Sequence, residues 1–183
     1  MSSVMAPPVF DGAGGLVQAT VDGVTHLNEL VRFDAAGVAT WTLPLSAQAV
    51  KVVLAGPGKL VYASVDGLVA LDAMTGAELW RTTLPLEPTD LAGDGAGGVA
   101  VLGGDLAGCQ AMAVRRYDAA GVFLWSRLIR ASGSCMGAPV GAGIAIATDG
   151  DVVVVGGLSA PTDLGTGEFQ PRTGAGFILD LAR

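Results

Sequence analysis

A short phrase recurs three times along the chain and constrains its fold more than any other feature. It reads Asp34-Ala-Ala-Gly37 followed by Trp41, Asp72-Ala-Met-Thr-Gly76 followed by Trp80, and Asp118-Ala-Ala-Gly121 followed by Trp125. Each tryptophan stands four residues after its glycine, and the tryptophans are 39 and 45 residues apart. Self-similarity at that period means stacked supersecondary units, each burying its apolar face on the next, rather than one irregular core.

Ahead of each phrase lies a second turn followed by an apolar run. The turns are Asp11-Gly-Ala-Gly-Gly15, Gly56-Pro-Gly58, Asp94-Gly-Ala-Gly-Gly98 and Asp149-Gly150, so four units begin. A complete unit reads as four short strands, a to d, rich in Val and Leu and bounded by Gly, Asp and Pro. In the second unit the expected strands are 50–55, 60–65, 68–72 and 78–84. The recurring phrase is the c–d hairpin turn, where Asp bonds to its own nearby backbone and Gly supplies positive φ. Four antiparallel strands in about 40 to 50 residues make a β-propeller blade. The expected fold is therefore all-β, a single propeller segment over 1–183 with units at 8–47, 48–88, 89–138 and 139–183. Residues 177–181 align with strand c, and no fourth turn or tryptophan strand follows before Arg183, so the last blade is incomplete. No strand is expected ahead of Val9-Phe10, and open blade edges predict self-association.

Composition narrows the function classes. The 183 residues are 51% hydrophobic with 28 glycines and a net charge of -7, which excludes a disordered chain and a basic nucleic-acid binder. The mean hydropathy of +0.55 invites a membrane reading. Yet the longest uncharged run, Ala131 to Thr148, is broken by Gly, Pro and Ser and does not supply about 20 consecutive apolar residues. No membrane span is expected, and the N-terminal residues show no basic region followed by an apolar one that would mark an export signal.

The phrase Leu68-Val-Ala-Leu-Asp-Ala-Met-Thr-Gly-Ala-Glu-Leu-Trp80 resembles the repeat of pyrroloquinoline-quinone-type (PQQ-like) β-propellers, in which Ala-Leu-Asp-x-x-Thr-Gly-x-x-x-Trp closes each blade. Residues 151–182 resemble the bacterial secreted β-propeller repeat (SBBP), with Leu158 and Leu164 where that family often has Phe. The resemblance implies that Trp41, Trp80 and Trp125 pack between neighbouring blades. It also implies an exported bacterial protein, extracellular, periplasmic or at the cell surface.

Catalytic constellations find no support in the residues. Quinone-dependent propeller enzymes carry a vicinal cysteine pair, whereas Cys109 and Cys135 are 26 positions apart. His26 is the only histidine, and no Gly-x-Ser-x-Gly elbow occurs. One histidine and two thiols cannot complete a common zinc shell. Asp149, Asp151 and Asp163 match no calcium loop, and the Asp-Gly-Ala-Gly-Gly stretches lack the lysine and helix of a phosphate loop. Arg115, Arg116, Arg127 and Arg130 form the only basic cluster and read as solvated strand faces with packed stems. We therefore expect no cofactor, no metal and no enzymatic activity.

In an up-and-down blade the b–c loop and the connection to the next blade share one face. Cys109 and Cys135 both fall there, which allows either a disulfide in an oxidising compartment or two buried free thiols. The b–c segment also varies most in length: minimal at Asp66-Gly67, longer around His26 and Cys109, longest from Ser159 to Gly176. Variable loops on a rigid scaffold are where binding sits. The expected function is a binding or structural scaffold that recognises a protein or glycan through this face. The alternative is part of a larger PQQ-type propeller enzyme whose catalytic residues lie elsewhere.

Overall fold

The computed structural model describes residues 3–4, 7–21, 27–47, 49, 51–105, 111–131, 139–164, 167–171 and 175–181. All regular elements among them are strands, and all pairings are antiparallel. The first sheet contains β1 (Ser3–Val4), β2 (Val9–Phe10), β3 (Leu16–Val21), β4 (Asn28–Phe33) and β5 (Ala39–Leu45). β6 (Lys51–Gly56), β7 (Lys59–Ser64), β8 (Gly67–Asp72) and β9 (Glu78–Thr82) form the second in simple up-and-down order. The third repeats that order with β10 (Leu86–Gly93), β11 (Val99–Asp105), β12 (Met112–Tyr117) and β13 (Phe123–Ile129). The fourth has three strands, β14 (Val140–Ile146), β15 (Val152–Leu158) and β18 (Ala175–Leu181). A separate hairpin, β16 (Thr162–Asp163) and β17 (Glu168–Phe169), lies between β15 and β18 in sequence. These are propeller blades, the last lacking an outer strand among the described residues.

Two details differ from the sequence expectation. A strand does precede Val9-Phe10: β1 pairs Ser3 with Val21 and Val4 with Thr20, on the same edge of β3 that β2 occupies. The inner strand of the first blade is thus split in two around Pro7 and Pro8, which lack the N–H a continuous ladder would use. β10 also starts at Leu86, inside the second expected unit, because Leu86 is already paired with Asp105 and buried.

Side chains from facing blades build three cores. Val17, Ala19 and Leu30 of the first blade meet Leu60, Tyr62, Val69 and Leu71 of the second. Val61, Ala63 and Ala70 then meet Val99, Val101 and Tyr117. Ala100, Leu102 and Val114 meet Val152, Val154 and Phe177. The facing side chains interdigitate, and each fully buried aliphatic side chain contributes about 1.5–3 kcal/mol. Both faces of a middle blade are buried, which explains why β7, β8 and β11 are almost continuously apolar rather than alternating.

Candidate functional site

The blades have two rims of different character. On one rim lie the a–b and c–d turns, and they are built to be rigid. Asp34 accepts hydrogen bonds from the N–H groups of Ala36 and Val38, and Asp118 does the same for Ala120 and Val122. Asp72 accepts from Met74 N–H, Thr75 N–H and the Thr75 hydroxyl, which together hold its carboxyl below the usual carboxylate range. Gly37, Gly76 and Gly121 close the turns at φ of 77°, 72° and 77°.

Trp41 and Trp80 each reach from their own outer strand to the c–d turn of the following blade. Trp41 donates its indole N–H to the Ala73 carbonyl at 3.2 Å, and Trp80 donates to the Ala119 carbonyl at 3.0 Å. The Trp41 ring covers Gly76, and the Trp80 ring covers Gly121. Trp125 packs against the core between the third and fourth blades.

An ion pair that the repeats do not advertise ties the a–b turn to strand c. Arg32 donates through Nε to Asp11 Oδ2 at 2.8 Å, and its Nη2 stands 2.6 Å from the same oxygen, with both side chains buried. Arg116 and Asp94 form the equivalent pair in the third blade at 2.5 Å. For both carboxyls burial pushes the pKa up, but hydrogen bonds from turn N–H groups and from the arginine outweigh it and leave each below its ordinary value of 3.8. The four-arginine cluster is accordingly dispersed. Arg116 is buried in this pair rather than solvated, Arg115 stacks over Phe123 at 5.2 Å, and Arg130 approaches Asp105 at 3.6 Å.

Along the inner strands, Asp90 links three blades. Its Oδ1 lies 2.5 Å from Lys51 Nζ on β6, and its Oδ2 accepts the Ile144 N–H of β14 at 3.0 Å.

The opposite rim carries the b–c loops and the connections between blades. A cleft of about 330 Å³ opens here between the third and fourth blades, lined by Glu87, Thr89, Asp105, Met112, Pro139 and Val140 among others. The Ser159 to Gly176 segment, expected as a loop, contains the β16–β17 hairpin. The hairpin is fastened to the connection leaving the third blade by a bridge between Thr162 and Ala131, and Thr162 is fully buried. Asp66, Glu87, Asp163, Glu168 and Phe169 are exposed on this rim, and so is Arg130. His26, Cys109 and Cys135 lie outside the described residues. Among the described residues no group of three or more His, Cys, Asp or Glu is placed to hold a metal ion, and no helix is long and apolar enough to cross a membrane.

No family model and no curated protein matches the chain. Solved structures do. BamB from Moraxella catarrhalis is 19% identical with a TM-score of 0.57, matching 96% of this chain and 49% of that one. U3-55K is 10% identical with a TM-score of 0.67 over 96% of this chain and 51% of that one. The β-propeller domain of Cps50 (Swd1) from Myceliophteria thermophila is 13% identical with a TM-score of 0.54, over 95% and 57%. The chain thus spans about half the length of the structures it matches. Sheet order, blade packing and these likenesses together establish a β-propeller fold built from four consecutive blades.

Proposed function

We propose that this chain is a non-catalytic binding scaffold of an exported bacterial protein, and that it recognises a protein partner through the rim of b–c loops. The observation that carries this reading is the β16–β17 hairpin, added to the fourth blade on that rim and anchored at Thr162. A structured insertion held by a rigid sheet presents a preordered surface, which lowers the ordering cost of association. Exposed Asp163 and Glu168 on the hairpin with the aromatic Phe169, together with exposed Asp66 and Glu87 on the same rim, favour a partner that presents basic side chains. Among the matched folds, BBS1N is described in complex with ARL6DN, which supports partner binding by a propeller of this kind.

Replacing residues 160–170 by a short glycine linker tests the proposal. The partner captured by the intact chain should be lost from the variant while blade melting is retained. Capture of the intact chain's partner should also weaken as salt rises, since exposed charges are screened within about 10 Å at 0.1 M. Undiminished capture by the variant removes the proposal. Capture of glycans alone replaces the protein partner with a carbohydrate one.

A further inference from the structure

The cleft between the third and fourth blades owes its depth to one missing side chain. Strand register places Glu87, Gly104, Met112 and Ile129 in one row across the third blade, and Met112 and Ile129 pack against the fourth. The first blade has Val21 at the register position of Gly104. Nothing lies within 4 Å of where a Gly104 Cβ would stand, so the row carries a notch between Glu87 and Met112. Pro139 and Val140 form the facing wall, and that wall is fixed one residue further on. There Gly141 meets Leu102 so closely that a Cβ would stand 2.6 Å from the leucine side chain. The slot of about 330 Å³ is therefore built into the blade packing, with Met112 buried at its floor and Val140, 67% exposed, at its mouth. Its walls are mostly apolar, as in most ligand sites, and Glu87 brings a carboxylate to them. Glu87 is exposed and pairs with no cation among the described residues, whereas Asp105, also in the lining, has Arg130 at 3.6 Å.

Resting on the loop-rim reading, we propose that this slot takes an arginine side chain of the protein partner. The aliphatic stem lies against Met112, Pro139 and Val140, and the guanidinium meets the Glu87 carboxylate. Two properties select arginine. Its methylene stem buries well against apolar walls while the charged head stays at the polar edge. Its guanidinium is also more weakly hydrated than an ammonium, so it leaves water for a half-apolar slot at lower cost. Arginine seated in a pocket is among the side chains that most often dominate the energy of a protein interface. The same rim already draws a guanidinium of the chain itself toward a carboxylate, Arg130 toward Asp105. The hairpin would then supply surface and the slot the anchor, since none of the residues lining the slot belongs to β16 or β17.

Titration of the intact chain with N-acetylarginine amide, followed at the Met112 methyl resonance, decides the matter. The resonance should shift saturably. The citrulline counterpart, which has the same shape without the charge, should bind about tenfold more weakly, as expected for the loss of a charge-assisted hydrogen bond. Gly104→Val gives the notch the side chain that the first blade carries there, and it should abolish the shift while keeping the β-sheet circular dichroism of the intact chain. Glu87→Gln, at an exposed position, should weaken the arginine compound about as much as citrulline is weakened. The chain with residues 160–170 replaced should bind the compound as the intact chain does, so a failure of the hairpin reading leaves this measurement unchanged. No saturable shift overturns the proposal, as does equal binding of citrulline. Binding that survives Gly104→Val or is indifferent to Glu87→Gln overturns it too. Partner capture that is lost with the hairpin while the compound is ignored overturns the slot alone.

Discussion

The indole of Trp80 lies across Gly121 of the next blade so closely that a Cβ built on the glycine would stand 2.7 Å from the ring. The glycine serves two purposes at once, supplying a φ of 77° and leaving room for an aromatic ring.

Those two purposes separate experimentally. Gly37 sits in the same Asp-Ala-Ala-Gly turn with the same φ of 77° but with no atom near a Cβ. Gly37→Ala should therefore cost only the left-handed backbone penalty, about 1–2 kcal/mol. Gly121→Ala should add the displacement of a packed ring, a further 1–3 kcal/mol or so. Urea unfolding of the two variants measures the difference, and equal losses would show that the ring contact contributes nothing.

The buried Asp11–Arg32 pair should behave cooperatively. Arg32→Leu leaves the Asp11 carboxylate buried without its guanidinium and should destabilise by about 3–5 kcal/mol. The second blade manages the same site without charge, with Gly56 and Ala70 in the corresponding places. The double variant Asp11→Gly, Arg32→Leu should accordingly lose less than Arg32→Leu alone. A double-mutant cycle read by denaturant midpoints would detect this coupling, and strict additivity would count against it.

Acid should unfold the protein through the same pairs. Asp11 and Asp94 have folded-state values below 3.8, so the unfolded chain binds the more protons as pH falls toward and past that value. Their contribution is complete above about pH 4–5 and is lost as pH falls through the depressed folded values. The melting temperature should be flat near neutrality and drop below about pH 4, with a shallower drop in Asp11→Asn than in the intact chain.

Asp90→Ala should loosen three blades together. It removes the partner of Lys51 and leaves the N–H of buried Ile144 without its acceptor, a loss of about 1–3 kcal/mol. Asp90→Asn keeps an acceptor for that N–H and should retain more of the stability. Hydrogen exchange at the Ile144 amide reports the effect directly: faster in Asp90→Ala, nearly unchanged in Asp90→Asn.

What the sequence made visible was everything written at fixed spacing. The Asp-to-Gly turns, the apolar runs and the tryptophan register mark the chain as propeller blades, since each is a local device repeated down the chain. Arg32 and Arg116 were visible only by comparison between units. Each stands two residues before the turn aspartate, in units whose a–b turn begins with Asp; the unit with Gly56-Pro57-Gly58 has Ala70 instead. A linear charge count reads Arg116 as a surface residue, whereas the sheet carries it 2.5 Å from Asp94, 22 residues away in sequence. Asp90 gives no local sign at all, because its partners come from the two flanking blades. The β16–β17 hairpin escaped because two-residue strands show no alternation.

The tryptophan contact also bears on how such a chain could lengthen or shorten. Every complete repeat carries a donor ring on its outgoing side and a glycine seat with an alanine carbonyl on its incoming side. A repeat copied or excised whole therefore brings, or removes, one of each, and the junction left behind is already matched. A break inside a repeat, by contrast, strands one half of the fastening.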